Sequence, residues 1–167
     1  CVHTTGCGCT APGAALGQLP PLALYIHIPW CVRKCPYCDF NSHAASPTLP
    51  EEEYVDALLA DLDQDLHAVH GRELSSIFFG GGTPSLFSAQ ALGRLLKGVE
   101  QRIRFAPDIE ITLEANPGTF EQEKFTAYRA LGINRLSIGI QSFQEQKLKA
   151  LGRIPVSYTH LTLPTKA

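Results

Sequence analysis

The sequence predicts an α/β protein, in which a parallel sheet has its strands joined by crossover helices. From Leu22 onward, short apolar runs alternate with longer amphipathic segments, which is the pattern of repeated strand-helix units. The residues with unusual chemistry follow the predicted strands directly. In parallel α/β architectures, whether barrels or open sheets, ligands bind at the carboxyl ends of the strands. The sequence therefore predicts one site, built by loops that leave one edge of the sheet.

The apolar runs predict four strands, each followed by a helical segment. Their predicted bounds are Leu22 to Ile28, Ser76 to Phe79, Glu110 to Glu114 and Arg135 to Ile140.

The amphipathic segments predict four helices. The clearest covers about Glu51 to His70, because glutamates occupy its first turn and Gly71 follows as a stop. Its apolar stripe, with a spacing of four residues, consists of Tyr54, Leu58, Leu62 and Leu66. The second is predicted at Ser88 to Ile103, with Leu92, Leu95, Leu96 and Val99 facing inward. The others are predicted at Phe120 to Leu131, closed by Gly132, and from near Glu145.

The composition is that of an ordinary globular protein, with 167 residues, 44% hydrophobic and 18% charged. A net charge of -2 without a run of lysine or arginine argues against a nucleic-acid partner and an electrostatic membrane anchor. Residues 4–27 carry no full charge, but prolines and glycines interrupt them and no basic segment precedes them. Neither a signal peptide nor a membrane span is predicted. A reducing, cytoplasmic location is therefore expected, where clustered thiols more often bind metal than form disulfides.

The two ends differ in character from the rest of the chain. It contains no methionine, so we expect a fragment or altered ends. Residues 1–18 are small and without periodicity, and we expect a disordered or non-native leader, although Cys1, Cys7 and Cys9 leave a second metal site open. Residues 155–167 are threonine-rich and are expected to be a non-native tail that resembles translated adapter sequence. Residues 19–154 are expected to form the N-terminal part of one domain.

The most informative feature is a loop with three cysteines, Cys31, Cys35 and Cys38, just after the first predicted strand. Three thiolates can hold three corners of an iron-sulfur cube and leave the fourth iron open to a small-molecule ligand. A zinc site is the alternative, with His27 or His43 as the fourth ligand. Zinc sites of that kind usually take ligand pairs from separate turns, whereas these thiols share one loop. Thiols without any metal are the remaining alternative.

A glycine run follows the second predicted strand, in the segment FFGGGTPS, residues 78–85. Glycine permits positive backbone torsions and lets a ligand touch the main chain, so this turn can bind a charged amino-acid group directly. Thr83 adds a hydroxyl. Taken alone, the run fits a tight strand-to-helix turn equally well.

Polar side chains follow the third and fourth strands. Glu114 ends an otherwise apolar strand, where a carboxylate is costly unless it meets donors from a ligand or from a structural partner. Gln141 can donate and accept at the same edge, and Arg153 lies further along, near the anomalous tail. For Arg153, an exposed side chain without a role stays open.

Together these segments resemble the radical S-adenosylmethionine (SAM) superfamily. The cysteine spacing, the aromatic Tyr37 between the last two cysteines and the GGGTP turn carry this resemblance. More narrowly, the chain is similar to the HemW family, relatives of oxygen-independent coproporphyrinogen III oxidase. The similarity covers about residues 19–154 and includes the segments YIHIPWC, CPYCDFNSH, FFGGGTPS, LEANPGT, RLSIGIQSF and LGRI.

The resemblance implies a partial (β/α)6 TIM-like barrel, here truncated after about four β/α units. It implies a 4Fe-4S cluster bound by Cys31, Cys35 and Cys38, with SAM on the open iron. The implied SAM contacts are Tyr25 and Tyr37, Gly81, Gly82 and Thr83 at the methionine part, and Glu114, Gln141 and Arg153 at polar groups. Reduction of the cluster by an electron donor would cleave SAM to a 5'-deoxyadenosyl radical, which is chemistry of the cofactor.

Phe40 favours one branch of the family. The oxidases carry a further cysteine at this position, two residues after the third cluster ligand, whereas this chain has phenylalanine. The resemblance to HemW implies a heme chaperone that binds heme as cargo and transfers it to client hemoproteins. The oxidase, which decarboxylates coproporphyrinogen III, is the alternative, so enzymatic activity stays open. The residues that bind heme do not follow from these loops.

Overall fold

The computed structural model describes residues 19–116 and 122–153. The expected leader and the expected tail lie outside these residues, as does residue 154. The described elements are, in chain order, β1 (Leu22–Ile28), β2 (Trp30–Cys31), β3 (His43–Ala44), α1 (Glu51–Asp65), β4 (Leu74–Gly81), α2 (Ala89–Glu100), β5 (Phe105–Ala115), α3 (Gln122–Ala130), β6 (Arg135–Ile138) and α4 (Glu145–Ala150). Short 3-10 helices follow α1 and β4, at Leu66–Ala68 and Pro84–Leu86.

The main sheet has four parallel strands in the order β1-β4-β5-β6. Each strand therefore pairs with the next long strand of the chain, and a helix connects every pair. All four carboxyl ends lie at one edge, where Ile28 pairs with Gly81 and Glu114 pairs with Ser137. This confirms the predicted α/β class with a parallel sheet.

The strand bounds differ from the predicted ones mainly at the ends. β1 has the predicted bounds, whereas β4 and β5 are longer and begin at Leu74 and Phe105. β6 ends at Ile138, two residues before the predicted end at Ile140, because the Ile140 amide turns back to the carbonyl of Ile138 at 3.0 Å. This local turn removes Ile140 from the sheet and starts the loop that carries Gln141.

The helices follow the predicted order. α1 ends at Asp65, and the 3-10 turn at Leu66–Ala68 replaces the last part of the predicted helix. α2 begins after Ser88, whose side-chain oxygen accepts a hydrogen bond from the Ala91 amide at 3.1 Å, as an N-cap residue does. The first residues of the third predicted helix lie outside the described residues. Within the described ranges, no helix combines the length and the apolar content that crossing a membrane requires.

The core lies between the sheet and the helices α1 and α2. The four inward residues predicted for α2, Leu92, Leu95, Leu96 and Val99, are all buried. In α1 only Val55 is fully buried, whereas the predicted stripe packs against the core with partly buried side chains. α1 is turned toward α2, because a Cβ on Gly98 would lie 2.7 Å from Leu59. Leu59, which lies outside the predicted stripe, therefore also packs inward, against α2.

An aromatic cluster of Trp30, Tyr54 and Phe87 supports the start of the cysteine loop. The rings of Trp30 and Tyr54 meet edge to face at 4.7 Å, and Trp30 stacks on Phe87 at 5.6 Å. Tyr54 also donates a hydrogen bond from its hydroxyl to the carbonyl of His27, at 2.8 Å. Helix α1 is thereby joined to the end of β1, directly before the loop that carries the cysteines.

Candidate functional site

A cavity of about 220 Å³ opens at the carboxyl ends of β1, β4, β5 and β6. A single water needs roughly 10–15 Å³ by this measure, so the cavity has room for a polyatomic group. Its lining comes from all four strand-end loops and from the end of α4. The lining residues are Cys31, Arg33, Cys35, Tyr37, Cys38, Asp39, Phe40, Gly81, Gly82, Glu114, Ala115, Asn116, Ser137, Gly139, Gln141 and Arg153.

The structure brings together every predicted site residue except Tyr25 and Thr83. Thr83 is buried, and its hydroxyl accepts a hydrogen bond from the Asn116 amide at 2.8 Å, so it lies behind the lining. Tyr25 is 58% exposed on β1 and stacks on Phe78, with the ring centroids 6.2 Å apart. Tyr25 therefore lies outside the cavity wall.

The cysteine loop is closed at its base by backbone contacts. β2 and β3 pair as a small parallel ladder, in which Trp30 lies opposite His43. Beyond the ladder, the Ala45 amide donates to the carbonyl of Cys31 at 2.8 Å. The Cys38 amide donates to the carbonyl of Cys35 at 3.1 Å, which forms a turn between these cysteines. The loop is therefore an ordered unit joined to β1.

His27 links β1 to the end of this loop. Its Nε2 lies 2.7 Å from the carbonyl oxygen of Asn41, which can only accept, so Nε2 carries the proton and donates. In the neutral ring, Nδ1 then accepts from the Tyr25 hydroxyl, at 3.1 Å. Both ring nitrogens of His27 are thus engaged within the protein.

Neither histidine of the zinc alternative lines the cavity with the three thiols. His27 is engaged as above, and His43 is exposed and lies outside the cavity lining. Among the described residues, no three side chains of histidine, cysteine, aspartate or glutamate are grouped to hold one metal ion. A cube differs in this respect, because each thiolate binds its own iron.

The glycine turn is in direct backbone contact with the start of the cysteine loop. A Cβ on Gly82 would lie 2.6 Å from the carbonyl oxygen of Trp30, so no larger residue fits there. The amides of Gly82 and Thr83 donate to the carbonyls of Ile28 and Trp30, at 2.8 and 2.7 Å. Since these amides point into the protein, a ligand at this turn would meet carbonyl oxygens.

Glu114 lies half-buried at the end of β5 and faces the glycine turn. Its Oε2 accepts a hydrogen bond from the Gly81 amide at 3.3 Å. Burial raises the pKa of Glu114, and the Gly81 amide opposes this effect only in part. The pKa of Tyr25 is also raised, first by burial and then by the charge of Glu114. A buried carboxylate with one amide donor can still accept hydrogen bonds from a cation or from hydroxyl groups of a ligand.

Asn116 lines the same cavity, although the sequence predicted no role for it. Its Nδ2 donates to the Thr83 hydroxyl, and its Oδ1 accepts from Nη1 of Arg153, both at 2.8 Å. Nε of Arg153 donates to the Tyr37 hydroxyl oxygen at 2.9 Å. The chain of hydrogen bonds from Thr83 to Tyr37 joins three strand-end loops and the end of α4. The signal available in the sequence was the place of Asn116, the first residue after β5.

The loop after β6 brings two further groups to the same point. Gln141 has a positive φ of 62°, in the left-handed region that few residues other than glycine adopt. A Cβ on Gly139 would lie 3.6 Å from both Nη2 of Arg153 and Nε2 of Gln141. The absent side chain of Gly139 therefore leaves space that two nitrogen donors border.

Comparison with known families decides the assignment of this chain. The model of the "Radical SAM superfamily" matches residues 25–159, which is most of the sequence and includes the whole cavity lining. The chain belongs to the radical SAM superfamily.

Among the similar proteins, several bear the name "Heme chaperone HemW". The protein from Escherichia coli (strain K12) is 61% identical over 137 residues, which are 82% of this chain and 36% of the relative. The protein from Haemophilus influenzae is 59% identical over 141 residues, again 82% of this chain and 37% of the relative. The chain thus spans little more than a third of the length of these relatives.

A solved structure shows the same radical SAM fold. It is described as "Coproporphyrinogen III oxidase (HemN) from Escherichia coli is a Radical SAM enzyme", and it matches with a TM-score of 0.75 and 32% identity. The match covers 81% of this chain and 31% of that structure. The expected radical SAM fold, present here in part, is confirmed.

Radical SAM membership implies a 4Fe-4S cluster and SAM, and the donors of this cavity fit both. The three thiols of Cys31, Cys35 and Cys38 all line the cavity, and none of them is in a disulfide. Thiolates are the ligands that iron-sulfur clusters use. Opposite them lie the backbone of the glycine turn and the polar side chains of Glu114 and Arg153, which suit a ligand with ammonium, carboxylate and hydroxyl groups.

Proposed function

We propose that this chain is the cluster-binding and SAM-binding part of a heme chaperone, which binds heme and transfers it to client hemoproteins. The observation that carries the cofactor part is that the three thiols line one cavity together with the glycine turn, Glu114, Gln141 and Arg153. The heme part is supported by the 61% identity to the Escherichia coli relative named as a heme chaperone.

Cys31, Cys35 and Cys38 would hold three corners of the cluster and leave its fourth iron open to SAM. The bound cofactors, once reduced, supply radical chemistry. The protein's own part is to hold and orient them. Cys31 is buried at the base of the loop, whereas Cys35 and Cys38 are half-buried, so the loop shields one side of the group it binds.

The remaining predicted residues would position SAM. An ammonium group would be met by carbonyl oxygens of Gly81 and Gly82 and by the Glu114 carboxylate, because the amides of this turn donate inward. Gln141 and Arg153 offer nitrogen donors for carboxylate or hydroxyl oxygens. Tyr37 would contribute its half-exposed ring from the cysteine loop. Thr83 lies behind the cavity lining and would act through its hydrogen bond with Asn116. Tyr25 lies beside the lining and would act through its hydrogen bond with His27.

Phe40 supports the chaperone over the oxidase. Its side chain lines the cavity and is 62% exposed, at the position where the oxidases of the family carry a further cysteine. A phenylalanine supplies an apolar surface and no ligand for metal. Cytoplasmic client hemoproteins and a cellular electron donor belong to the same proposal.

The experiment is an absorbance titration of the full-length protein with heme, after anaerobic reconstitution of its cluster. Saturable binding, followed by transfer of heme to an apo-hemoprotein, is the expected result. Full-length protein that holds the cluster but binds no heme would contradict the chaperone. Iron without zinc in elemental analysis is expected in the same sample.

The second candidate is oxygen-independent coproporphyrinogen III oxidase, which decarboxylates two propionates to vinyl groups. The observation that favours it is the match to the oxidase structure, with a TM-score of 0.75. The test is anaerobic incubation of the reconstituted protein with coproporphyrinogen III, SAM and a reductant. Protoporphyrinogen IX as product would establish the oxidase, whereas SAM cleavage without that product would remove it.

A further inference from the structure

We infer that Asn116 is a positioning residue for the SAM site, and that it acts by holding the guanidinium of Arg153. This inference rests on the proposed binding of SAM in the cavity. In that proposal Asn116 only connects Thr83 to the cavity lining, whereas here it has a role in ligand binding.

The first argument is the number of contacts that fix Arg153. An arginine side chain loses much rotamer freedom when it is held in one geometry. In this protein the Arg153 side chain is already held in one geometry without a ligand, because Nη1 donates to Asn116 and Nε donates to Tyr37, at 2.8 and 2.9 Å. With two of its nitrogens bound, the guanidinium plane is set before a ligand arrives. Such preorganisation lowers the cost of ligand binding.

The second argument is the position of Nη2, the guanidinium nitrogen of Arg153 that Asn116 and Tyr37 do not bind. Nη2 of Arg153 borders the space above Gly139, together with Nε2 of Gln141, each 3.6 Å from the position of a Cβ on that glycine. The Oδ1 atom of Asn116 lies 3.4 Å from the same position. An acceptor on the ligand, either a carboxylate oxygen or a hydroxyl oxygen, would find both donors in place there.

The third argument is how Asn116 is itself held. Its Nδ2 donates to the hydroxyl of Thr83, which is only 1% exposed. This bond fixes which way the side-chain amide faces, so that Oδ1 points to Arg153. Asn116 is thus placed by the turn after β4 and transmits that placement to a residue at the end of α4.

The test uses full-length protein with a reconstituted cluster, and SAM affinity measured by calorimetry under anaerobic conditions. Asn116→Ala removes both contacts, and we expect it to weaken SAM binding about tenfold, which corresponds to about 1.4 kcal/mol. Iron content of the SAM-free protein should stay close to wild type, whereas its melting temperature should fall as in the control below, because the buried Thr83 hydroxyl loses this partner. Asn116→Asp keeps an oxygen for Arg153, and the Thr83 hydroxyl can donate to it, so we expect affinity within about threefold of wild type.

Asn134→Ala is the matched control. Asn134 also bridges backbone and loop, since it accepts from the Ile111 amide and donates to the carbonyl of Ile109, both at 2.8 Å. It lies at the opposite end of the sheet, so its loss should lower the melting temperature and leave SAM affinity unchanged.

A second variant, Tyr37→Phe, tests the same guanidinium from its other contact. Tyr37 is 49% exposed, so its loss of a hydroxyl leaves folding intact. We expect a threefold weaker affinity, and a double variant with Asn116→Ala that loses less than the product of the single effects, because both act through Arg153. Wild-type affinity in Asn116→Ala, or fully multiplicative effects, would overturn the inference alone. Wild-type protein that holds a cluster but binds no SAM would overturn the proposed SAM site as well.

Discussion

The carboxylate of Glu114 accepts a hydrogen bond from the backbone amide of Gly81, across the carboxyl ends of two neighbouring strands. This contact fixes the acid against the turn that faces the cysteines. It also keeps a carboxylate in a half-buried place, which has a consequence for stability.

Glu114→Gln should raise the melting temperature of the cluster-free protein at neutral pH. Burial raises the pKa of Glu114, so the folded state favours the protonated acid. The contribution of the Glu114 carboxyl to stability is present below the pKa of this group in the unfolded chain, ordinarily about 4.3. That contribution is lost as the pH rises through its raised pKa in the folded protein. Glutamine keeps an acceptor for Gly81 and carries no charge. Thermal melts across this pH range should show the two proteins converging in acid and separating as the pH rises.

Gly82→Ala should destabilise the protein by about 1–3 kcal/mol, the usual cost of overpacking. The added Cβ would lie 2.6 Å from the Trp30 carbonyl oxygen, and backbone cannot rotate away. Because the displaced backbone carries Cys31, iron content after reconstitution should fall as well. Urea denaturation and iron analysis measure the two effects.

Gly93→Ala is the matched control for that prediction. Its Cβ would also meet a neighbour at 2.9 Å, but the neighbour is the end of the Leu131 side chain, which can move. Alanine also favours helix by about 1 kcal/mol over glycine. A Gly93→Ala variant as unstable as Gly82→Ala would show that the backbone contact is not the cause.

Tyr128→Phe should cost about 1–3 kcal/mol, because it removes a buried hydrogen-bond donor that lies beside two carbonyl oxygens. The Tyr128 hydroxyl lies 3.0 and 2.7 Å from the carbonyl oxygens of Ser85 and Phe87, so it holds the segment after the glycine turn onto α3. Urea denaturation should give a lower midpoint with an unchanged slope. Tyr37→Phe, on the exposed loop, should leave the midpoint within about 0.5 kcal/mol of wild type. Equal midpoints for both variants would contradict this assignment.

If the three loop cysteines hold the cluster as proposed, Cys35→Ala should abolish it, because the cube would then keep only two protein ligands. Iron, sulfide and the electron paramagnetic resonance signal of the reduced protein measure the loss. Cys7→Ala is the control, since Cys7 belongs to the N-terminal segment that is expected to be a disordered or non-native leader. If Cys7→Ala lost the cluster as well, the first 18 residues would have to be included in the site.

The order of strands and helices could be predicted from the sequence because periodicity and turn residues are local signals. Leu92 and Val99 recur at helical spacing and are buried as predicted. The convergence of Glu114 and Gln141 on one cavity also followed, since parallel strands place their carboxyl ends at one edge.

What the sequence did not reveal depends on contacts between distant segments. The bond from Asn116 to Arg153 joins residues 37 positions apart, and no periodic pattern records it. The inward direction of the Gly82 amide is set by its pairing with Ile28, so a glycine run alone does not tell which of its groups face a ligand. The packing of α1 on α2 depends in the same way on a contact between distant segments, that of Leu59 with Gly98.

Trp30, the single tryptophan of the chain, directly precedes Cys31 and packs against the rings of Tyr54 and Phe87. Iron-sulfur cubes absorb broadly across the range in which indole emits. Loading of the cluster should therefore quench the fluorescence of this chain, and release of iron should restore it. The fluorescence of Trp30 would therefore report whether the cluster is bound.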